Sequence, residues 1–114
     1  MVILDEGLNK MRDLLNTNLT KGQNGTGTGT ADEEDTGLET AIGETFLTLT
    51  KSKSDKILTT THSLSTTVGN GNNFTEFENQ FSTGESMIRI RHTAISKTNT
   101  KQIEFIVTYE LSGA

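Results

Sequence analysis

Apolar residues fall into two different periods along this chain. Near the start, Leu8, Met11 and Leu15 recur at i, i+3 and i+7, the spacing that lines up side chains on one stripe of a helix. Asp5 and Glu6 put a capping oxygen and negative charge where such a helix begins, and Asn16-Thr17-Asn18 stops it. The spacing predicts a helix over 5–16, with Glu6, Lys10, Arg12 and Asp13 facing solvent and the apolar stripe lying on a sheet.

After Leu38 the period shortens to two. Over 45–50, Leu47 and Leu49 share a face, the segment 51–55 (KSKSD) turns the chain, and 56–65 returns with Leu58, Thr60, His62 and Leu64 aligned, which predicts an antiparallel hairpin. Gly69-Asn70-Gly71-Asn72-Asn73 is the strongest turn signal, because Gly and Asn accept left-handed conformations. A strand over 74–81 follows. The next, over 86–95, sets Ile88, Ile90, His92 and Ala94 on one face and Arg89, Arg91 and Thr93 on the other. In the last, over 101–111, Ile103, Phe105, Val107, Tyr109 and Leu111 alternate with Gln102, Glu104 and Thr108. Between the two regimes, 21–37 (KGQNGTGTGTADEEDTG) has no apolar period and reads as a long loop, a natural place for a contact surface.

The fold class that follows is mainly β (α+β): an antiparallel β-sandwich or open barrel of about five or more strands with one N-terminal helix. The layout is a helix within 1–17, a Gly/Thr/acidic loop over 18–38 and an antiparallel β region over 39–114, all in a single domain.

Composition narrows the picture. At 114 residues with 31% hydrophobic content, the core is thin, which favours completion by neighbouring copies. The chain has no Cys, so disulfides, thiolate nucleophiles and Cys-ligated metals are excluded. It has no Pro, so no strand edge is blunted by a missing N–H. A net charge of −5 weighs against duplex nucleic acid as a partner. No apolar run approaches the ~20 residues of a membrane span and the start lacks the layout of a secretory signal, so a soluble chain without a membrane partner is expected.

The chemistry-bearing motifs read weakly. GTGTGT at 25–30 is glycine-rich like a phosphate loop, but such loops join a buried strand to a helix, whereas here a helix precedes and an acidic run follows. Asp32, Glu34 and Asp35 offer oxygens for Ca²⁺ without the alternating ligands and fixed Gly of an EF-hand; the simpler reading is an acidic loop that repels other negative surfaces or meets Arg89 and Arg91 of a neighbouring copy. His62 and His92 fall on apolar strand faces with no nucleophile-elbow or HExxH context, so neutral, partly buried imidazoles are expected rather than catalysis. Asn18, Asn24 and Asn73 each open an N-x-T glycosylation triplet, as an Asn/Thr-rich chain does by chance.

Taken in order, the helix GLNKMRDLLN, the GTGT loop running into ADEEDTGLET, the turn before NNFTEFENQF, and MIRIRHTAISKTNTKQIEFIVTYEL resemble small structural proteins of tailed bacterial and archaeal viruses. In that group the loop often reads GTGT followed by DT-x-L, matched here at 27–30 and 35–38. The group's T-E-hydrophobic…F pattern is matched by Thr75, Glu76, Phe77 and Phe81, and its final K-T…alternating strand by Lys97, Thr98 and 103–109. The glycine usual before the aromatic is replaced by Glu78-Asn79-Gln80, which leaves a local bulge there open.

The resemblance implies a virion location as a tail-fibre, baseplate or head-associated component. On it rests the expectation of a non-enzymatic structural subunit that needs no cofactor and binds copies of itself, a trimer being favoured, and other virion proteins. The expected contact residues are Leu8, Met11 and Leu15 on the helix, Gly27, Thr28, Asp35 and Leu38 in the loop, and Arg89 and Arg91 on the strand. Capsid decoration and a carbohydrate-binding module that meets a host glycan are the alternatives.

Overall fold

The computed structural model describes residues 1–112. One helix, α1 (Asp5–Asn18), is followed by β1 (Leu19–Gly25), a 3-10 turn at Gly43–Thr45, β2 (Leu47–Thr48), β3 (Thr50–Ser54), β4 (Ile57–Leu64), β5 (Asn73–Phe81), β6 (Ser86–Ser96) and β7 (Ile103–Glu110). The strands form two antiparallel sheets, ordered β2-β1-β5-β6 and β3-β4-β7. The fold is α+β and mostly β, and neither sheet closes into a barrel. No described helix is long and apolar enough to cross a membrane.

The two sheets face each other through the positions the alternation predicts. On β4, Leu58, Thr60, His62 and Leu64 are all buried, while Thr59, Thr61 and Ser63 are not. Leu19, Leu49 and Leu58 form the core at one end, with Leu15, Phe81 and Tyr109 packed against them. Farther along, Phe77 and Phe105 stack at 5.1 Å between centroids, and His62 lies 5.5 Å from Phe77.

Four boundaries differ from expectation, each for a local reason. First, 19–25 is a strand rather than part of a loop, and it lies inside its sheet between β2 and β5. Its inward positions carry Gly22 and Asn24, so it shows no apolar period. Second, the expected strand over 45–50 is cut: β2 pairs with β1, β3 pairs with β4, and the buried Leu49 between them carries one extended segment from sheet to sheet. Third, the turn expected at 51–55 is mostly strand; the reversal is the two-residue Asp55-Lys56 loop between paired Ser54 and Ile57. Fourth, α1 runs on to Asn18, with Leu4 rather than Asp5 at its N-cap.

The helix also docks differently from its predicted stripe. Leu8 is buried and Leu15 half-buried, but Met11 is 52% exposed, and Arg12 rather than Met11 turns toward the sheet. Arg12 donates from Nη1 to the Ser54 carbonyl at 2.6 Å, Asn9 accepts from the Lys56 amide at 2.8 Å, and Asp13 meets Lys53 at 3.4 Å. Arg12 and Asp13 therefore join helix to hairpin instead of forming a solvated face. Lys51 reaches back to accepting carbonyls of Asn16 and Leu19, and burial lowers its ammonium pKa. It satisfies backbone oxygens at the helix end that have no intrahelical partner.

Candidate functional site

The outer face of the four-stranded sheet is organised by one carboxylate. Glu76 on β5 is fully buried and accepts four bonds: from the amides of Gly27 (2.7 Å), Glu39 (2.9 Å) and Thr40 (2.9 Å), and from Arg89 Nε (2.9 Å). Burial alone would raise this carboxyl, but the Thr40, Glu39 and Gly27 amides with Arg89 outweigh it and hold the pKa below the usual range. Beside it, Thr75 donates to the Gly27 carbonyl at 2.5 Å. A Cβ on Gly27 would lie 2.5 Å from Glu76 Oε2, so the chain approaches the carboxylate this closely only because the residue is glycine.

Arg89 completes the cluster. Its side chain is 6% exposed, pairing with Asp35 at 2.9 Å as well as Glu76, and it donates to the carbonyls of Gly29 (3.0 Å) and Thr30 (3.3 Å). Burial would lower the guanidinium pKa, yet Glu76 and Asp35 together raise it. Asp35 is held below its ordinary range by a backbone amide of the Asp32 turn and by Arg89. The segment 26–40 is thus strapped over the sheet by bonds to its own chain.

This geometry revises the contact expectations residue by residue. Asp35 meets Arg89 of the same chain, so an acidic loop waiting for Arg89 of a neighbour is replaced by an internal pair. Gly27 is buried, Leu38 half-buried and Thr28 exposed. Arg91 stays exposed on the same outer face as Arg89 and donates to the Thr75 and His92 carbonyls. The GTGTGT segment does present an amide to an anion, but that anion is Glu76. Of the Ca²⁺ candidates, Asp32 accepts from the Glu34 amide at 2.9 Å and Asp35 from the Asp32 amide at 2.9 Å. Among the described residues no group of three or more His, Asp or Glu is placed to hold a metal ion.

Between the sheets lies a second polar group. His62 Nε2 and Asn24 Oδ1 are 2.8 Å apart, Thr45 Oγ1 accepts from the Asn24 amide at 2.8 Å, and Asn79 Nδ2 reaches Thr60 Oγ1 (3.1 Å) and Tyr109 OH (2.7 Å). Burial pushes the His62 pKa down to about 4 and the Tyr109 pKa up. Gly22 makes room: a Cβ there would stand 2.8 Å from the imidazole. His92, in the other sheet, lies 5.7 Å from Phe105, whose ring is 6.1 Å from His62. The two histidines flank one phenylalanine and do not form a joint site.

The third feature is an opening. β6 and β7 are the last strands of their sheets on the same side of the sandwich. Between them is a cleft of about 600 Å³ lined mainly by Phe77, Ile90, His92, Ile95, Phe105 and Val107. Its inward-pointing chains are only partly covered: Ile90 is 41% exposed, and Phe105 and Val107 are half-buried. Neither edge carries Pro, and the strap meets β6 at its Ser86–Arg89 end, while the cleft is lined by β6 residues from Ile90 to Ile95. The β5–β6 register slips at Asn79/Gln80, but the extra residue is Met87 on β6, so the glycine replaced by Glu78-Asn79-Gln80 is not the site of a bulge on β5.

Set beside protein-family models, curated proteins and solved structures, the chain matches none of them.

Proposed function

We propose that this chain is a non-enzymatic structural protein of a tailed-virus particle, an oligomeric subunit of the tail, fibre or baseplate that completes its fold with copies of itself. The carrying observation is the uncovered β6/β7 side, where apolar interior chains stand beside two unpaired strand edges. Such an edge pairs readily with further chain, and a thin core gains most from it.

The resemblance to small virion proteins gives the proposal its location, and the fold gives the motifs a common reason. The GTGT segment, the acid of DT-x-L and the Thr-Glu pair converge on Glu76 and Arg89. Lys97, the basic residue of the K-T pair, is buried and donates to Asn70 Oδ1 at 2.7 Å and to the Thr98 carbonyl at 2.9 Å, clamping the 69–73 turn. Arrays of this kind hold a shape and leave an edge for docking.

Light scattering of the purified chain over a dilution series tests the proposal. Defined oligomers are expected; a monomer at every concentration that also fails to incorporate into particles would end it. Copy number per particle separates a tail position from capsid decoration.

A further inference from the structure

From the residues lining the cleft and the segment that precedes α1, we infer that residues 1–4 of one copy insert as an extra strand into the β6/β7 cleft of another. This rests on the reading of the chain as a self-assembling subunit and specifies how the assembly is made.

Three observations carry it. Residues 1–4, Met-Val-Ile-Leu, are wholly apolar, and all four are exposed, with Val2 at 81% and Leu4 at 62%. Leu4, the N-cap of α1, is extended (φ −76°, ψ 151°), a conformation that a strand over the preceding residues can continue. The cleft supplies what it lacks: apolar walls from Phe77, Ile90, Phe105 and Val107, with an unpaired strand edge on either side. On β7 the cleft spans Glu104 to Val107, four residues, which in extended form is about 13 Å, the length of 1–4.

Residues 1–4 cannot fill the cleft of their own chain. Ile3 borders the same surface depression as Glu110 and Leu111, at the far end of β7. From Leu111 to Glu104 is about 23 Å along the strand, while four extended residues reach about 13 Å. The occupant is therefore a second copy, and the contact joins unlike surfaces. Reciprocal exchange closes a dimer, and cyclic exchange closes a trimer or larger ring.

The absence of Cys makes the test clean. Val2→Cys and Ile106→Cys are made in separate chains, one carrying a mass tag, mixed and oxidised; Ile106 is 62% exposed beside the cleft, so its substitution is mild. The expected result is a mixed disulfide in excess of either homodimer. In parallel, the double variant Val2→Asp/Ile3→Asp should weaken association by about a hundredfold or more, because a carboxylate would enter an apolar slot, with the circular dichroism and Tm of the single chain unchanged. If oligomers form but the mixed disulfide is absent and the Asp variant assembles normally, the insertion is wrong while the subunit proposal stands. If the unmodified chain is monomeric throughout, the insertion falls, and the subunit proposal falls with it where the chain also fails to incorporate into particles.

Discussion

Lowering the pH from 7 to 5 strains one buried ring before it affects the carboxylates. His62 is fully buried beside Asn24, Phe77 and Phe105, and its pKa is about 4 against an ordinary 6.5. In the unfolded chain the ring takes its proton near pH 6.5, whereas in the fold it stays neutral until about 4. The contribution of this ring to stability must therefore fall as pH drops through 6.5 and level off below 4. The full loss is about 3 kcal/mol, with about 2 kcal/mol already gone at pH 5. For a domain whose total stability is of order 5–15 kcal/mol, that is a large share. Urea midpoints at pH 7, 6 and 5 measure it. His62→Gln keeps an amide donor for Asn24 and removes the titration, so its curve should be flat over this window. If the parent and His62→Gln lose stability in parallel between pH 7 and 5, the assignment of acid sensitivity to this ring is refuted.

Below pH 4 a second loss should follow, because Glu76 and Asp35 have folded pKa values under their ordinary ones and their contribution disappears as pH falls through them. Glu76→Ala leaves three buried or half-buried amides without an acceptor and takes one carboxylate from Arg89; about 3–5 kcal/mol of destabilisation is expected, read by denaturant unfolding, with early proteolysis inside 26–40. Gly27→Ala should cost about 1–3 kcal/mol by pressing a methyl on Glu76, whereas Gly37→Ala, whose Cβ would have 3.3 Å of clearance from Glu78, should cost less; paired thermal melts compare them. Lys56→Gly should raise stability by about 1 kcal/mol in the same assay, since Lys56 is a non-glycine residue at positive φ (55°) in a two-residue hairpin loop.

What could be read from the chain depended on what its inward positions carry. β4, β6 and β7 carry mostly Leu, Ile, Val, aromatic or His side chains at alternate positions, which makes them legible as strands. β1 was not, because its inward residues are Gly22 and Asn24, chosen by the imidazole they accommodate rather than by hydrophobicity. The outward direction of Arg89 was legible too, but its partner was not: an exposed-looking arginine and an acidic loop 54 residues away are joined only once β5 brings Glu76 between them. On α1 the i, i+3, i+7 spacing named Met11, while docking on a hairpin rich in Lys and Ser selected Arg12 instead. The β6/β7 cleft left no mark in the alternation, since a half-covered Ile and a covered one look alike in sequence.

Leu49 gives the sandwich a spine. Because one unbroken segment serves both sheets there, the two cannot separate along that side without losing the β1–β2 or β3–β4 pairing, while β6 and β7 on the opposite side are joined only at one end, by the 97–102 link. Thermal motion of the sheets should then concentrate as a swing about Leu49, widest at β6 and β7. Amide exchange would grade across the width of the molecule, slow at β1 and β4 and fast at the free margins. An inserted strand at those margins would act as a clasp, converting a compliant subunit into a stiff one only once it is part of an assembly.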